Sequence, residues 1–519
     1  MIRNSQWRWA VRWSIVILFL SCLPYVIAIF MAPDGWQFAG LLVNPYDGHS
    51  YMAKMQQGFA GNWLFHLTYT PEPHAGAYIF LFYLFLGHLA RLTHLPPIII
   101  FHLSRIVAGF ILLLVVFRFI QRVTAETQEQ RLAFILMLTA AGLGWLGAMF
   151  NAFPIDLWVP EAFVSYSIYT NPHFPLAMAL MIIILQAIVW PEQIKLLSVL
   201  FIGLVSLALA LLLPFALLTI WAVLAVYLGW LTWQKRNLPW LQIGLTLTTI
   251  LFAAPIIFYD YWVSRTNPVM AGWSAQNITA APSILNLGLG LGLVGILAVL
   301  GGWVIIRNKQ YMPGEWLVLL WAVTTLGIIY FPFFNLQRRL INGLHIPLCI
   351  LAAIGLIRWL NQLSLKARRR RQIINTVIIV GLLGTVFVWT IPLLGLLQSP
   401  TQSETTALFF MRDQEVDVFN WLRENITQED IVLASPRMGM FLPGQTGARV
   451  FYGHPFETID ADNKKTRVEA FYRGEIETLS PPPTYIIDGP SERAIGQPMH
   501  LDKYPLVFST EDTVIYRPN

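Results

Sequence analysis

Apolar runs of membrane-crossing length recur along the first three quarters of the chain, separated by short segments rich in Arg, Lys, Gly and Pro. A helix needs roughly 20 apolar residues to cross the hydrocarbon core. By that measure the pattern predicts spans near residues 13–32, 98–117, 132–150, 174–190, 196–212, 215–233, 240–260, 284–305, 315–333, 344–360 and 373–397, about eleven transmembrane helices. From Ser399 onward the pattern changes. Glu415–Asn425 has helical spacing of its apolar residues Val416, Val418, Phe419 and Leu422. Ile431–Ala434, Arg449–Tyr452, Tyr485–Asp488 and Thr513–Tyr516 read as short strands punctuated by Gly and Pro. The expected architecture is a polytopic α-helical membrane domain over residues 1–398 and a soluble extracytoplasmic α/β domain over residues 399–519.

Composition agrees with that pattern. Only 12% of the 519 residues are charged and 56% are hydrophobic, where a soluble chain carries about 25% charged residues. A soluble enzyme, a disordered protein and a secreted disulfide scaffold are excluded. Charge is also unevenly placed: residues 1–398 carry a net +13 and residues 399–519 a net −7. The basic residues sit beside apolar spans, where they act as topology signals, so no nucleic-acid partner is indicated. Cys22 and Cys349 lie in apolar runs and suggest neither a disulfide framework nor a thiolate metal site.

Arg3, Arg8 and Arg12 precede the first span and place the N-terminus in the cytoplasm of a cell membrane. The short apolar run Ala77–Leu89 is the decisive segment. If it spans, Arg118, Arg122 and Arg131 fall outside; if it lies in the interface, they fall inside. The interfacial reading makes residues 33–97 one long first outer loop, a length that points to function. Cytoplasmic loops then carry Lys195, Glu192, Lys235–Arg236, Arg307 with Lys309, and Lys366 with Arg368–Arg371. The odd span count sends the C-terminal domain to the outer side.

Few acids in the first 398 residues fall outside: Asp34, Asp47, Glu72, Asp156, Glu161 and Asp260. Asp47, in NPYDGHSYMAKMQQGF, can serve as a general base on a hydroxyl or as the N-cap of a helix starting near His49. Asp156 and Glu161, in the second outer loop, are either a second acidic site or solvated loop acids. His49, His66, His74 and His173 lie on the same side, but no HExxH or comparable spacing indicates a metal. Arg338 and Arg339 are outer arginines that the topology does not require, and Arg105 lies near the outer end of the second span. Arginines at a membrane edge suit a phosphate or diphosphate ligand, or else snorkel to headgroups. Lys54 and Arg265 rank below them.

An outer carboxylate, outer arginines, a long first outer loop with an interfacial helix, and a soluble outer tail together resemble the GT-C superfamily of membrane glycosyltransferases. The resemblance implies sugar transfer from a polyprenyl-phosphate-linked donor to an acceptor hydroxyl on a glycan, lipid or protein, with inversion. It implies Asp47 as the catalytic base, with Tyr51 completing a D-x-x-x-Y pattern, and Asp156 or Glu161 at the family's second acidic position. Arg338, Arg339 and Arg105 fall at its phosphate-binding positions. His49, Tyr51, Lys54, Glu72, His74 and His173 are the candidate substrate-binding residues. Asp47 is followed by Gly48 rather than a second acid, and no DxD-like motif is present, so neither a metal nor a cofactor is indicated. The tail has no WWD sequence, which argues against protein N-glycosylation. A transporter or flippase of a lipid-linked glycan, or a non-catalytic scaffold, would share this layout. Charges at span ends, without a visible internal repeat, favour the enzyme.

Overall fold

The computed structural model describes residues 2–191, 195–308, 312–332, 335–398 and 403–518. Glu192, Lys309 and the expected domain start at Ser399 lie outside the described residues. Among the described residues, eight helical segments are long and apolar enough to cross a membrane: Ser5–Phe30, Pro97–Val123, Thr127–Ala148 (interrupted between Thr139 and Gly144), Pro214–Lys235, Trp240–Thr266, Ile284–Arg307, His345–Gln362 and Ala367–Leu396. His173–Val189, Leu196–Leu212 and Pro313–Ile328 are shorter apolar helices at the remaining three expected positions. The expected interfacial segment forms the helix Leu81–Thr93, which leaves Phe85 and Leu92 exposed.

The chain divides into two compact units. The first comprises Met1–Pro24, His102–Phe258 and Thr279–Ile391. Its most enclosed helix is His345–Gln362, packed against Ile284–Arg307 and Thr127–Thr139. Glycine makes the first contact possible, since a methyl group on Gly301 would overlap the Leu351 carbonyl. At the far end of this bundle Arg358 lies between two buried acids, with Nε 2.8 Å from Glu129 and a terminal nitrogen on Glu315. Burial of both acids demands a partner, and one guanidinium supplies it.

The second unit comprises Tyr25–Phe101, Tyr259–Ile278 and Pro392–Asn519. It crosses the domain boundary expected near residue 398, because the first outer loop packs with the C-terminal tail. Trp36–Phe38 pairs antiparallel with Phe410–Arg412, joining a loop strand to a tail strand. The helix Pro45–Phe59 packs on Pro436–Thr446 and on Leu81–Thr93. The second crossing is close: methyl groups on Gly58 and Gly87 would overlap the carbonyls of Leu84 and Met55.

The tail sheet has the order Arg449–Val450, Ile431–Leu433, Tyr485–Asp488, Val514–Tyr516, Leu506–Ser509, with the first three strands parallel and the last two antiparallel additions. Alternation along the central strand builds two core layers. Val432 faces one layer with Val418, Phe419 and the loop residues Ala53 and Tyr69, while Ile431 and Leu433 face the other with Val468 and Phe471. The loop thus contributes side chains to the tail's own hydrophobic core.

Candidate functional site

Pro45 opens the helix that carries Asp47. Its fixed φ and missing N–H suit the first helical position, so the helix starts at Pro45 rather than near His49. Asp47 therefore lies inside the first turn, and the N-cap position belongs to Asn44. This corrects the capping alternative for Asp47. Asn44 adopts the left-handed conformation (φ 48°, ψ 59°), which Asn tolerates better than most residues. Its side-chain amide donates to Oδ2 of Asp47. The Asp47 carboxylate is exposed, and the helix N-terminus beside it favours negative charge.

The neighbouring turn is clamped from the tail. Nδ1 of His454 accepts from the backbone N–H groups of Phe456 (3.0 Å) and Glu457 (3.1 Å). The proton is therefore on Nε2, which donates to the carbonyl of Tyr46 at 3.2 Å. His49, one turn in, is 2% exposed, with Nε2 3.2 Å from the Leu408 carbonyl and its ring edge-on to Phe441. Burial lowers its pKa to about 4, so at neutral pH it is an uncharged part of the helix–tail contact. Tyr51 stacks on Tyr83 with ring centroids 4.4 Å apart.

Lys54 is also 2% exposed and pairs with Glu457 at 2.8 Å, with Ser50 Oγ hydrogen-bonded to both. Its ammonium lies 4.6 Å from the centroid of Phe80. Glu72 pairs with Lys464 and accepts from Thr70. His74 accepts the Leu67 N–H on Nε2 (2.9 Å) and so donates from Nδ1 to the Glu72 carbonyl (2.8 Å). Of the outer acids of the loop, Asp34 and Asp47 are exposed, and Asp47 is the one on the helix Pro45–Phe59. His49, Lys54, Glu72 and His74 are engaged in holding loop to tail. Asn44, His454, Glu457 and Lys464 were missed, three of them because they lie some 400 positions from their partners.

In the first unit, Arg338 and Arg339 lie on the short 3-10 helix Gln337–Ile341. The Arg338 guanidinium stacks 4.8 Å from the centroid of Trp158, and its Nε is 3.8 Å from Glu161. Arg339 lies 5.3 Å from the centroid of Phe215. Both Nε atoms are buried without a hydrogen-bond partner.

Arg105 differs. It is 1% exposed and donates to the carbonyls of Ile168 (2.9 Å) and Tyr169 (3.3 Å), near the end of the helix Val164–Thr170. Those carbonyls lack intrahelical partners, and Arg105 supplies them with donors. Asp156 is 1% exposed and accepts the Gly144 N–H at 2.8 Å. Burial pushes its carboxyl up to about 7 despite that bond. Asp156 and Glu161 thus have different partners. His173 is buried at the start of the helix His173–Val189, with its ring 4.0 Å from Phe174. Among the described residues no group of three His, Cys, Asp or Glu side chains is placed to hold a metal.

No family model matches the chain, and no curated protein matches it. Solved structures do. ArnT from Cupriavidus metallidurans bound to undecaprenyl phosphate superposes with a TM-score of 0.52 at 14% identity, covering 97% of both chains. ArnT in the apo state gives 0.54 at 14% identity over 98% of both chains. The arabinofuranosyltransferase AftD from Mycobacteria gives 0.48 at 12% identity, over 98% of this chain and 40% of that one. The likeness to ArnT is one of fold along the whole chain, which has many apolar helices and a small C-terminal sheet.

Proposed function

We propose that this chain is a membrane glycosyltransferase that moves a sugar from a polyprenyl-phosphate-linked donor to an acceptor hydroxyl. Full-length likeness in fold to ArnT, a protein whose structure holds undecaprenyl phosphate, supports the donor class. The observation that carries the assignment of roles is the exposure of Asp47. Among the described residues its carboxylate has no ion-pair partner, whereas Glu457 is paired with Lys54 and Glu72 with Lys464. A carboxylate held by Asn44 at a helix N-terminus is suited to accept a proton from an attacking hydroxyl.

In this reading Asp47 removes the acceptor proton as the oxygen attacks the anomeric carbon. The bond from that carbon to the lipid phosphate breaks on the opposite face, so the centre inverts. Arg338, stacked on Trp158 beside Glu161, and Arg339 stabilise the negative charge that accumulates on the departing phosphate. No protein nucleophile takes part. The C-terminal unit lies on the extracytoplasmic side with the catalytic loop, as the positive-inside pattern requires.

The test is Asp47→Asn in purified full-length protein, assayed for transfer from undecaprenyl-phosphate-linked sugars. Turnover is expected to fall roughly 10²–10⁴-fold with donor binding retained. Unchanged turnover removes Asp47 as base. In parallel, Arg338→Ala combined with Arg339→Ala should weaken donor binding by tenfold or more, and unaltered affinity removes the phosphate role.

A further inference from the structure

The second unit contains a cavity that the proposed chemistry does not use. It has a volume of about 760 Å³, within the roughly 300–1,000 Å³ range of small-ligand sites. It opens at the C-terminal end of the helix Pro45–Phe59, where Gln56, Phe59 and Asn62 line it. Asp47 sits at the other end of that helix, about 15 Å away at 1.5 Å per residue. The cavity is therefore not the surroundings of Asp47.

Its charge is one-sided. Arg91, Arg423 and Arg449 line it, and Glu429 is the one carboxylate among the lining residues; three positive charges against one negative leave +2. Each arginine comes from a different element: the last turn of Leu81–Thr93, the last turn of Asp413–Asn425, and the edge strand Arg449–Val450. Arg423 is held by the Gln445 carbonyl and by Asn420, so Arg91 and Arg449 are the cations best placed to meet a ligand, and an anion between them offsets their repulsion.

The hydrogen bonds support the same conclusion. Arg449 spends one terminal nitrogen on the carbonyls of Gln428 (3.3 Å) and Glu429 (2.8 Å) and the other on the carbonyl of Pro71 (3.5 Å), while its Nε is buried with no hydrogen-bond partner. Burial lowers the Arg449 pKa, which marks a poorly solvated cation. His66 and His74 add no charge: burial lowers both, with Arg449 contributing, and His74 is fixed as the neutral tautomer by Leu67 and Glu72.

A bare anion would need far less space than this. The lining also offers planar amides and an aromatic ring, groups that match the hydroxyls and apolar faces of sugar rings. We infer that this cavity is a binding site for an anionic oligosaccharide, one whose sugars carry carboxylate or phosphate groups, and that it lies apart from the catalytic carboxylate. The guanidiniums hold the acidic groups, Gln56 and Asn62 meet ring hydroxyls, and Phe59 meets a sugar face. The site requires no transfer step and stands independently of the transferase reading.

Calorimetry on the purified full-length chain tests this. Trigalacturonate serves as the acidic probe, maltotriose as its uncharged counterpart, and inorganic phosphate as the bare anion. Trigalacturonate is expected to bind at least tenfold more tightly than either of the others. Arg91→Gln, at an exposed helix end where folding is not at stake, and Arg449→Gln should each weaken it by tenfold or more. No binding of trigalacturonate, or binding unchanged in Arg91→Gln, overturns the site. Maltotriose binding equally well overturns the requirement for charge, and phosphate binding equally well overturns the saccharide. Asp47→Asn should leave trigalacturonate affinity intact, so loss of transfer and loss of this site are read separately.

Discussion

Lys54 and Glu457, 403 positions apart in the chain, form an ion pair of 2.8 Å in which the lysine is 2% exposed. The pair fastens the helix that bears Asp47 to the C-terminal tail. Burial alone would raise the Glu457 pKa, but Lys54, His454 and Ser50 outweigh it and the net direction is down. Removing one partner leaves the other charge buried and uncompensated, at a cost of about 3–5 kcal/mol. Glu457→Gln should therefore lower the denaturant midpoint sharply, and Lys54→Met should do the same. Combining Lys54→Met with Glu457→Leu should recover most of the loss, since no isolated charge remains. A double variant as unstable as the sum of the single ones would show that the pair itself is not the source.

His49 gives the second unit a defined acid sensitivity. Its folded pKa is about 4 and its unfolded value is about 6.5. The unfolded chain therefore binds the proton first as pH falls. The stability from a neutral His49 is complete above pH 6.5 and is lost progressively between pH 6.5 and about 4. A shift of that size corresponds to about 3 kcal/mol. His49→Leu should flatten the dependence of stability on pH across this interval, measured by unfolding at fixed pH steps. An unchanged slope would place the acid sensitivity elsewhere.

Asn44 orients the proposed base, and its backbone and side chain can be tested separately. The left-handed φ of 48° costs an alanine about 1–2 kcal/mol, whereas glycine adopts it freely. Asn44→Ala loses both the amide contact to Asp47 and the backbone tolerance; Asn44→Gly loses only the contact. If the amide positions the carboxylate, both variants lower kcat, by roughly tenfold for a charge-assisted hydrogen bond. Only the alanine variant also loses stability. Full activity in Asn44→Gly would sink the orienting role.

Local patterns made much of this architecture legible. Apolar runs located every long helix, because a membrane span is specified by its own composition. Alternation and turn residues located the strand Tyr485–Asp488 to the residue. The helix Pro436–Thr446 was not foreseen because Gly439, Pro443 and Gly444 interrupt its pattern; the close approach of Gly439 to the Tyr452 carbonyl explains one of those glycines. Site chemistry was harder to read. Asp47 drew attention by its placement after a span, but Lys54 and Arg105 carry no local mark that they are engaged by Glu457 and by the Ile168 carbonyl. Tertiary pairing decides which polar residues remain available, and pairing over hundreds of positions leaves no periodic trace.

The span expected over residues 132–150 is broken, and the break predicts where the first unit cannot accept a methyl group. The helix Thr127–Thr139 stops and a short helix resumes at Gly144–Ala148. The exposed backbone groups between them find partners: Ala141 N–H donates to the Gly381 carbonyl (3.2 Å), Leu143 N–H to Leu289 (3.0 Å) and Gly144 N–H to Asp156 (2.8 Å). Without such partners a non-helical stretch within a lipid-facing bundle would be too costly to form. The facing helix Ile284–Arg307 breaks in turn at Gly292, with φ 50°. A methyl group on Gly142 would overlap the Gly290 carbonyl, while one on Gly288 meets nothing within 4 Å. Gly142→Ala should therefore cost about 1–3 kcal/mol through overpacking and reduce the monodisperse fraction recovered from detergent. Gly288→Ala should be neutral or slightly stabilising, because alanine is the better helix former. Equal recovery of the two variants would mean that the glycine contact does not hold the two broken helices together.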